Sequence, residues 1–225
     1  MMKKLTAIYL AAFIALPVLA DEIDETLDAA ADGHVNVSNI AGEVTIRGWS
    51  RNQVEVTGEL GRNVEELIFK RDGDKITIKV KVPRKSGHGI DSDLHIQVPQ
   101  DSSVDVGTVS ADISVTDVRG EQKLNTVSGD VVTEVADNDV SAESVSGDVE
   151  VSGEGKRIDT RAATVSGDVT LFRVAGAVVA GSVSGDVTID EGSFDRAGLE
   201  TVNGDIVFHA ALRDGGKLEA ETVNG

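Results

Sequence analysis

One hexapeptide decides most of what this chain can become. A Thr or Ser, then Val-Ser-Gly-Asp, then Val occupies residues 126–131, 144–149, 164–169 and 182–187. A degenerate copy at 108–113 has Ala111 in place of Gly, and the copy at 201–206 has Asn203 in place of Ser. A last copy begins at Thr222 and the sequence stops at Gly225, so it reads as cut in mid-repeat. With the acid as marker, Asp112, Asp130, Asp148, Asp168, Asp186 and Asp205 follow at intervals of 18, 18, 20, 18 and 19 residues. Units this short cannot build a core alone, so they must stack, and a regular period of this length is the signature of a solenoid.

The expected fold class is all-β: a parallel β-solenoid of about 18 to 21 residues per coil, into which an N-terminal β-rich portion continues. The clearest strand follows each Gly-Asp. Its inward pairs are Ile113 and Val115, Val131 and Thr133, Val149 and Val151, Val169 and Leu171, Val187 and Ile189, then Ile206 and Phe208. At one strand spacing per coil, about 4.8 Å, they stack into two apolar ladders. The upstream strand carries a conflict of parity. Leu124 and Thr126 share one face, as do Leu199 and Thr201, whereas Val127 and Val202 have the other, so a bend or bulge is expected between them. Insertions such as Gly153-Glu154-Gly155-Lys156 and Asp190-Glu191-Gly192-Ser193 read as surface loops on one side of the stack, where recognition would sit.

Residues 1–20 read as an export signal: Lys3 and Lys4, an apolar run from Leu5 to Leu16, and Val18-Leu19-Ala20 before a cleavage site at Asp21. The run is shorter than the ~20 residues that a span needs, so no membrane span is expected in the mature chain. Residues 21–33, acidic and Ala-rich, read as a flexible lead-in. Residues 34–103 form the N-terminal β-rich region, with alternation from Val35 to Ile46 and a hairpin turn at Asp72-Gly73-Asp74. Residues 104–225 are the repeat region.

A net charge of −18 argues against nucleic acid as a partner, because a phosphate backbone calls for a cationic surface. There is no Cys, so the exported chain must hold together by packing and hydrogen bonds. Aromatic residues make up only 3%, which suits a thin core of β-branched side chains.

The acids of the repeat invite two readings. Asp130, Asp148, Asp168, Asp186 and Asp205 as a column of hard oxygens could hold Ca²⁺. Spaced at about 4.8 Å, neighbouring carboxylates repel by about 0.9 kcal/mol even at the dielectric of water, and something must offset this. The preferred reading is a structural corner made of Gly129, Asp130, Gly147, Asp148, Gly167, Asp168, Gly185, Asp186, Gly204 and Asp205. In it Gly permits the bend, the flanking valines fill the core, and Asp and Ser satisfy the corner's backbone. Thr126, Ser144, Thr164 and Ser182 form one hydroxyl column and Ser128, Ser146, Ser166 and Ser184 another, both assigned to that corner. The histidines, His34, His88, His95 and His209, are scattered and accompany no nucleophile or metal-ligand spacing. No catalytic residue, metal or cofactor is expected. The cluster Lys79, Lys81, Arg84 and Lys85 reads as a solvated strand face and loop.

The repeated Thr-Val-Ser-Gly-Asp-Val, the stretch from Val37 to Trp49 and Val98-Pro99 ahead of the repeats resemble a family of bacterial exported proteins with β-strand repeats. Its members are of unknown function and are assigned as adhesins from their fold. The resemblance covers residues 34–225. It implies a parallel β-solenoid that is periplasmic, secreted or at the cell surface, and it carries over no catalytic residue. The expected function is therefore that of a non-enzymatic adhesin or envelope scaffold whose ligand is an envelope or surface protein or glycan. The alternatives are a polysaccharide-active solenoid enzyme, weakened by the scarcity of rings in the repeats (Phe172, Phe194, Phe208), and an envelope-stress or regulatory interaction partner.

Overall fold

A computed structural model describes residues 21–84 and 88–225. The expected export signal and Lys85 lie outside the described residues. Among these the chain is all-β, and no helix is long and apolar enough to cross a membrane.

Seven strands precede the repeats: β1 (Asp21–Asp28), β2 (His34–Ser38), β3 (Ala41–Trp49), β4 (Gln53–Leu60), β5 (Glu66–Asp72), β6 (Lys75–Lys81) and β7 (Asp91–Pro99). The repeats supply β8 (Ser103–Gly107), β9 (Ser110–Thr116), β10 (Gln122–Asn125), β11 (Val131–Val135), β12 (Val140–Glu143), β13 (Val149–Gly153), β14 (Arg157–Ala163), β15 (Val169–Phe172), β16 (Ala175–Ser184), β17 (Val187–Asn203) and β18 (Ile206–Asn224). All are joined in one mixed sheet.

The pairings run as two ladders. The first passes from β5 through β6, β2, β8, β10, β12, β14 and β16 to the second halves of β17 and β18. The second passes from β1 through β4, β7, β3, β9, β11, β13 and β15 to the first halves of β17 and β18. Equivalent residues of successive repeats pair in parallel, as in Val131 with Val149 and Val149 with Val169. The parallel arrangement expected from the repeats extends only in part into the N-terminal region: β2 with β6 and β3 with β7 are parallel, whereas β1 with β4, β4 with β7 and β5 with β6 are antiparallel. For β5 and β6 the short connection is the reason. The turn at Gly73 (φ 62°) sets Asp72 opposite Lys75, and a reversal that tight can only produce antiparallel neighbours.

The lead-in expected to be flexible is also corrected, since Asp21–Asp28 is strand β1, paired residue for residue with β4. Ile23 is buried, Leu27 is half-buried, and Glu22, Asp24 and Glu25 stay in solvent. Two apolar side chains and a ladder of backbone hydrogen bonds to β4 thus outweigh a composition that reads as solvated. The core lies between the ladders. Inward residues of the second, from Ile113 and Val115 to Val187 and Ile189, meet Val104, Val106, Leu124, Ala142, Ala162, Ala180 and Leu199 of the first, and all are buried. Each such valine or leucine contributes about 1.5 to 3 kcal/mol through burial. Ile206 and Phe208 of the last repeat are only half-buried.

Candidate functional site: the corner ladder and the outer face

The corner joins the two ladders, and almost every bond of its side chains reaches from one repeat to the next. The first hydroxyl of the motif is buried and donates to the Gly carbonyl of the preceding repeat: Ser144 to Gly129 at 3.0 Å, Thr164 to Gly147 at 2.9 Å, Ser182 to Gly167 at 2.9 Å and Thr201 to Gly185 at 2.9 Å. Thr126 reaches Ala111 at 3.3 Å in the same way. Each carboxylate accepts the amide N–H of the next acid. Asp130 donates to Asp112 and Asp148 to Asp130, both at 2.9 Å; Asp168 donates to Asp148, Asp186 to Asp168 and Asp205 to Asp186, all at 2.8 Å. A charge-assisted bond of this kind is worth more than a neutral one and offsets the repulsion along the column. The acids therefore satisfy the backbone of the neighbouring repeat rather than that of their own corner.

Glycine has a different reason from the one expected. A Cβ at Gly147 would lie 2.0 Å from the Gly129 oxygen, and one at Gly167 would lie 2.3 Å from that of Gly147. Both residues keep φ outside the left-handed region, so what demands glycine is the close approach of one repeat to the next, and not a bend. Gly129, Gly185 and Gly204 meet the carbonyl below them in the same way.

The structure also resolves the parity conflict. Thr126, Ser144, Thr164, Ser182 and Thr201 turn inward, and the valine after each turns outward. The expectation that both valines of the motif fill the core is thus wrong for the first of them: Val109, Val127, Val145, Val165 and Val183 are 43 to 47% exposed. The inward place is taken by the hydroxyl, which alone can answer the Gly carbonyl there. Of the two hydroxyl columns only the second, Ser128 to Ser184, remains at the surface.

Beside this valine ridge, the outer face of the first ladder is hollowed. Ala163, Gly181 and Gly198 floor a depression of about 540 Å³, with Val179, Val183 and Val202 at its sides. Arg161, ion-paired with Glu143 at 2.7 Å, closes one end, and Glu200, Glu219 and Glu221 stand at the other. The motif search missed this face, because its small residues lie outside the motif. The outward parity of Val179, Gly181 and Val183 in β16 was the signal that could have found it.

Other singled-out residues do not converge here. His34 bonds through Nδ1 to the Ser103 hydroxyl at 2.9 Å, far along the stack, and the His88 carbonyl accepts from Asn63 at 2.6 Å. Lys81 lies 3.5 Å from Glu65 and 3.8 Å from Glu66. In the loop before β14, Lys156 donates to Asp137 at 2.6 Å and lies 3.3 Å from Glu154; those hydrogen bonds, Asp137 first, raise its pKa above the ordinary lysine value.

Comparison with known proteins gives two kinds of likeness. No curated protein matches the chain. Among solved structures, "a putative cell adhesion protein" from Clostridium sporogenes is 11% identical, over 89% of this chain and 100% of that one, with a TM-score of 0.40. "A putative adhesin" from Bacteroides fragilis is 8% identical, over 89% and 97%, with a TM-score of 0.46. A "putative lipid binding protein" from Parabacteroides distasonis is 10% identical, over 89% and 97%, with a TM-score of 0.30. Likeness at these scores carries no argument about this chain. The family comparison is of another order: the model of Toastrack DUF4097 matches residues 29–178, from just before β2 into β16. That stretch is more than half of the chain and takes in four of its repeat corners, and on it the chain belongs to the Toastrack DUF4097 family.

Proposed function

We propose that this chain is an exported, non-enzymatic β-solenoid that binds a protein or glycan of the cell envelope or surface, as an adhesin or a scaffold does. The parallel, in-register pairing of successive repeats supports the solenoid, and the leader-like residues 1–20 support export. One observation carries the binding role: five successive corners hold a valine outward, beside an apolar hollow on the same face. Apart from the exposed serine column, every other motif position has an internal task, in the core, in a hydrogen bond or in letting two backbones approach. The outward valines recur at the same position of successive repeats and are 43 to 47% exposed, and an apolar strip on a protein surface marks a contact surface.

The test is binding of the full chain, immobilised, to purified envelope proteins and to a glycan array. Saturable binding that falls at least tenfold in the double variant Val145→Ser, Val165→Ser is the expected result. Failure to bind any component, or binding indifferent to that variant, contradicts the reading. Turnover of a glycan that disappears when one surface carboxylate is replaced would put a polysaccharide-active enzyme in its place.

A further inference from the structure

Two columns of the first ladder define the hollow more closely. One runs Ala163, Gly181, Glu200, Glu221 and the other Arg161, Val179, Gly198, Glu219, each residue paired with the next by strand register. Along both, small or apolar residues give way to carboxylates within one or two strands. Glu200 and Glu221 are direct neighbours across β17 and β18, and among the described residues no ion pair joins either of them, or Glu219, to a cation. Like charges side by side on a ladder are unfavourable unless a cation lies between them. Arg161 is at the opposite end and engaged with Glu143, and Arg196 and Lys217, neighbours across β17 and β18 two residues before Gly198 and Glu219, form no ion pair with the three carboxylates among the described residues. The site thus offers an apolar floor, valine sides and an end at which Glu200 and Glu221 stand side by side without an ion-pair partner.

We infer that this hollow takes a short extended peptide segment of a partner protein in which an aliphatic side chain stands two residues from a lysine or arginine, so that both face the same side. This rests on the binding role proposed above and names its partner class. A volume of about 540 Å³ accommodates a few residues, within the range of ordinary ligand clefts. The aliphatic group covers Gly181 and Gly198 between Val179 and Val183, which are 54% and 43% exposed. From that floor to Glu221 is one to two strand spacings, about 5 to 10 Å, which the stem of a lysine two residues along the segment spans. The net charge of −18 draws such a segment in from a distance. A bare polycation would satisfy the carboxylates and leave the floor uncovered, and a neutral glycan would do the reverse.

Fluorescence anisotropy of labelled pentapeptides with the full chain tests this. Val-Ser-Lys-Ser-Val, whose valines and lysine share one face when extended, is expected to bind saturably and to weaken with salt, while Ser-Ser-Lys-Ser-Ser and Val-Ser-Glu-Ser-Val bind at least tenfold more weakly. The decisive variant is Gly198→Leu. A Cβ there meets nothing closer than the Val178 oxygen at 3.9 Å, so the side chain fills the hollow without disturbing the fold. It is expected to weaken the peptide at least tenfold with its melting temperature unchanged, and Glu200→Gln with Glu221→Gln does likewise. Equal binding by wild type and Gly198→Leu overturns the inference. So does Ser-Ser-Lys-Ser-Ser binding as well as Val-Ser-Lys-Ser-Val, or calcium alone displacing the peptide irrespective of its apolar residues. If envelope binding persists in Gly198→Leu but is lost with the corner valines, this inference falls and the proposed function stands.

Discussion

Replacing Gly147 by alanine separates two explanations of the motif's glycine. If the residue served a turn, alanine would be tolerated, because φ at Gly147 is outside the left-handed region. The structure demands the opposite. The added methyl would sit 2.0 Å from the Gly129 oxygen and 2.6 Å from its carbonyl carbon, both backbone atoms of the preceding repeat's corner. Relief needs the two repeats to part by about 1 Å, against a normal strand spacing of about 4.8 Å. Three bonds bridge that gap: Ser146 N–H to the Val127 carbonyl at 2.9 Å, Asp148 N–H to the Asp130 carboxylate at 2.9 Å, and the Ser144 hydroxyl to Gly129 at 3.0 Å. At about 1 kcal/mol each, their loss destabilises the chain by about 3 kcal/mol. For a chain of this size that lowers the melting temperature by about 6 to 12 °C. Gly107→Ala is the control. Nothing lies within 4 Å of its Cβ position, and the shorter list of unfolded conformers leaves it neutral or up to about 1 kcal/mol more stable. Thermal melts followed by circular dichroism measure both, and melting within about 2 °C of each other would refute the close-approach argument.

Other positions report on the remaining parts of the motif. Thr164→Val keeps the shape of a buried side chain but strips the Gly147 carbonyl of a donor at 2.9 Å, and denaturant titration should find about 1 to 2 kcal/mol lost. Val165→Thr is expected to leave the denaturation midpoint unchanged, whereas Val149→Thr, four residues past an equivalent corner valine but fully buried, costs about 1 to 3 kcal/mol for its unpaired hydroxyl. Equal effects would mean that the corner valine is not outward. The ion pair of Lys156 with Asp137 is solvent-exposed, so Lys156→Ala should leave the melting curve unchanged at neutral pH.

Much of the fold was legible because the repeat imposes its own register. Once Asp112 to Asp205 are aligned, the period-two alternation after each acid assigns Val149 and Val151 to the core without any structure. What could not be read were quantities that exist only between repeats. The proximity of Gly147 to the Gly129 oxygen and the reach of each carboxylate to the next acid's amide have no trace within a single copy. The parity clash at Thr126 and Val127 was visible, but apolarity alone favours the valine for the inside; only the orphan carbonyl of the preceding repeat decides for threonine. Gln122 reads as a surface residue and is buried, because Thr133 and the carbonyls of Val118 and Glu134 satisfy its amide. β1 was hidden by its acids, since its partner β4 lies beyond two intervening strands and pairs through backbone. The hollow escaped notice because Ala163, Gly181 and Gly198 form a surface only when three repeats are stacked.

The central claim is that the motif bonds repeat to repeat in one direction, each acid holding the amide of the next. Amide hydrogen exchange in Asp148→Ala tests it residue by residue. The Asp168 amide, which donates to the Asp148 carboxylate at 2.8 Å, should lose protection at least tenfold, while the amide of residue 148 itself, bonded to Asp130 at 2.9 Å, keeps its own. Loss of protection at residues 147–149 with the Asp168 amide unchanged would contradict the claim and return the acid to its own corner.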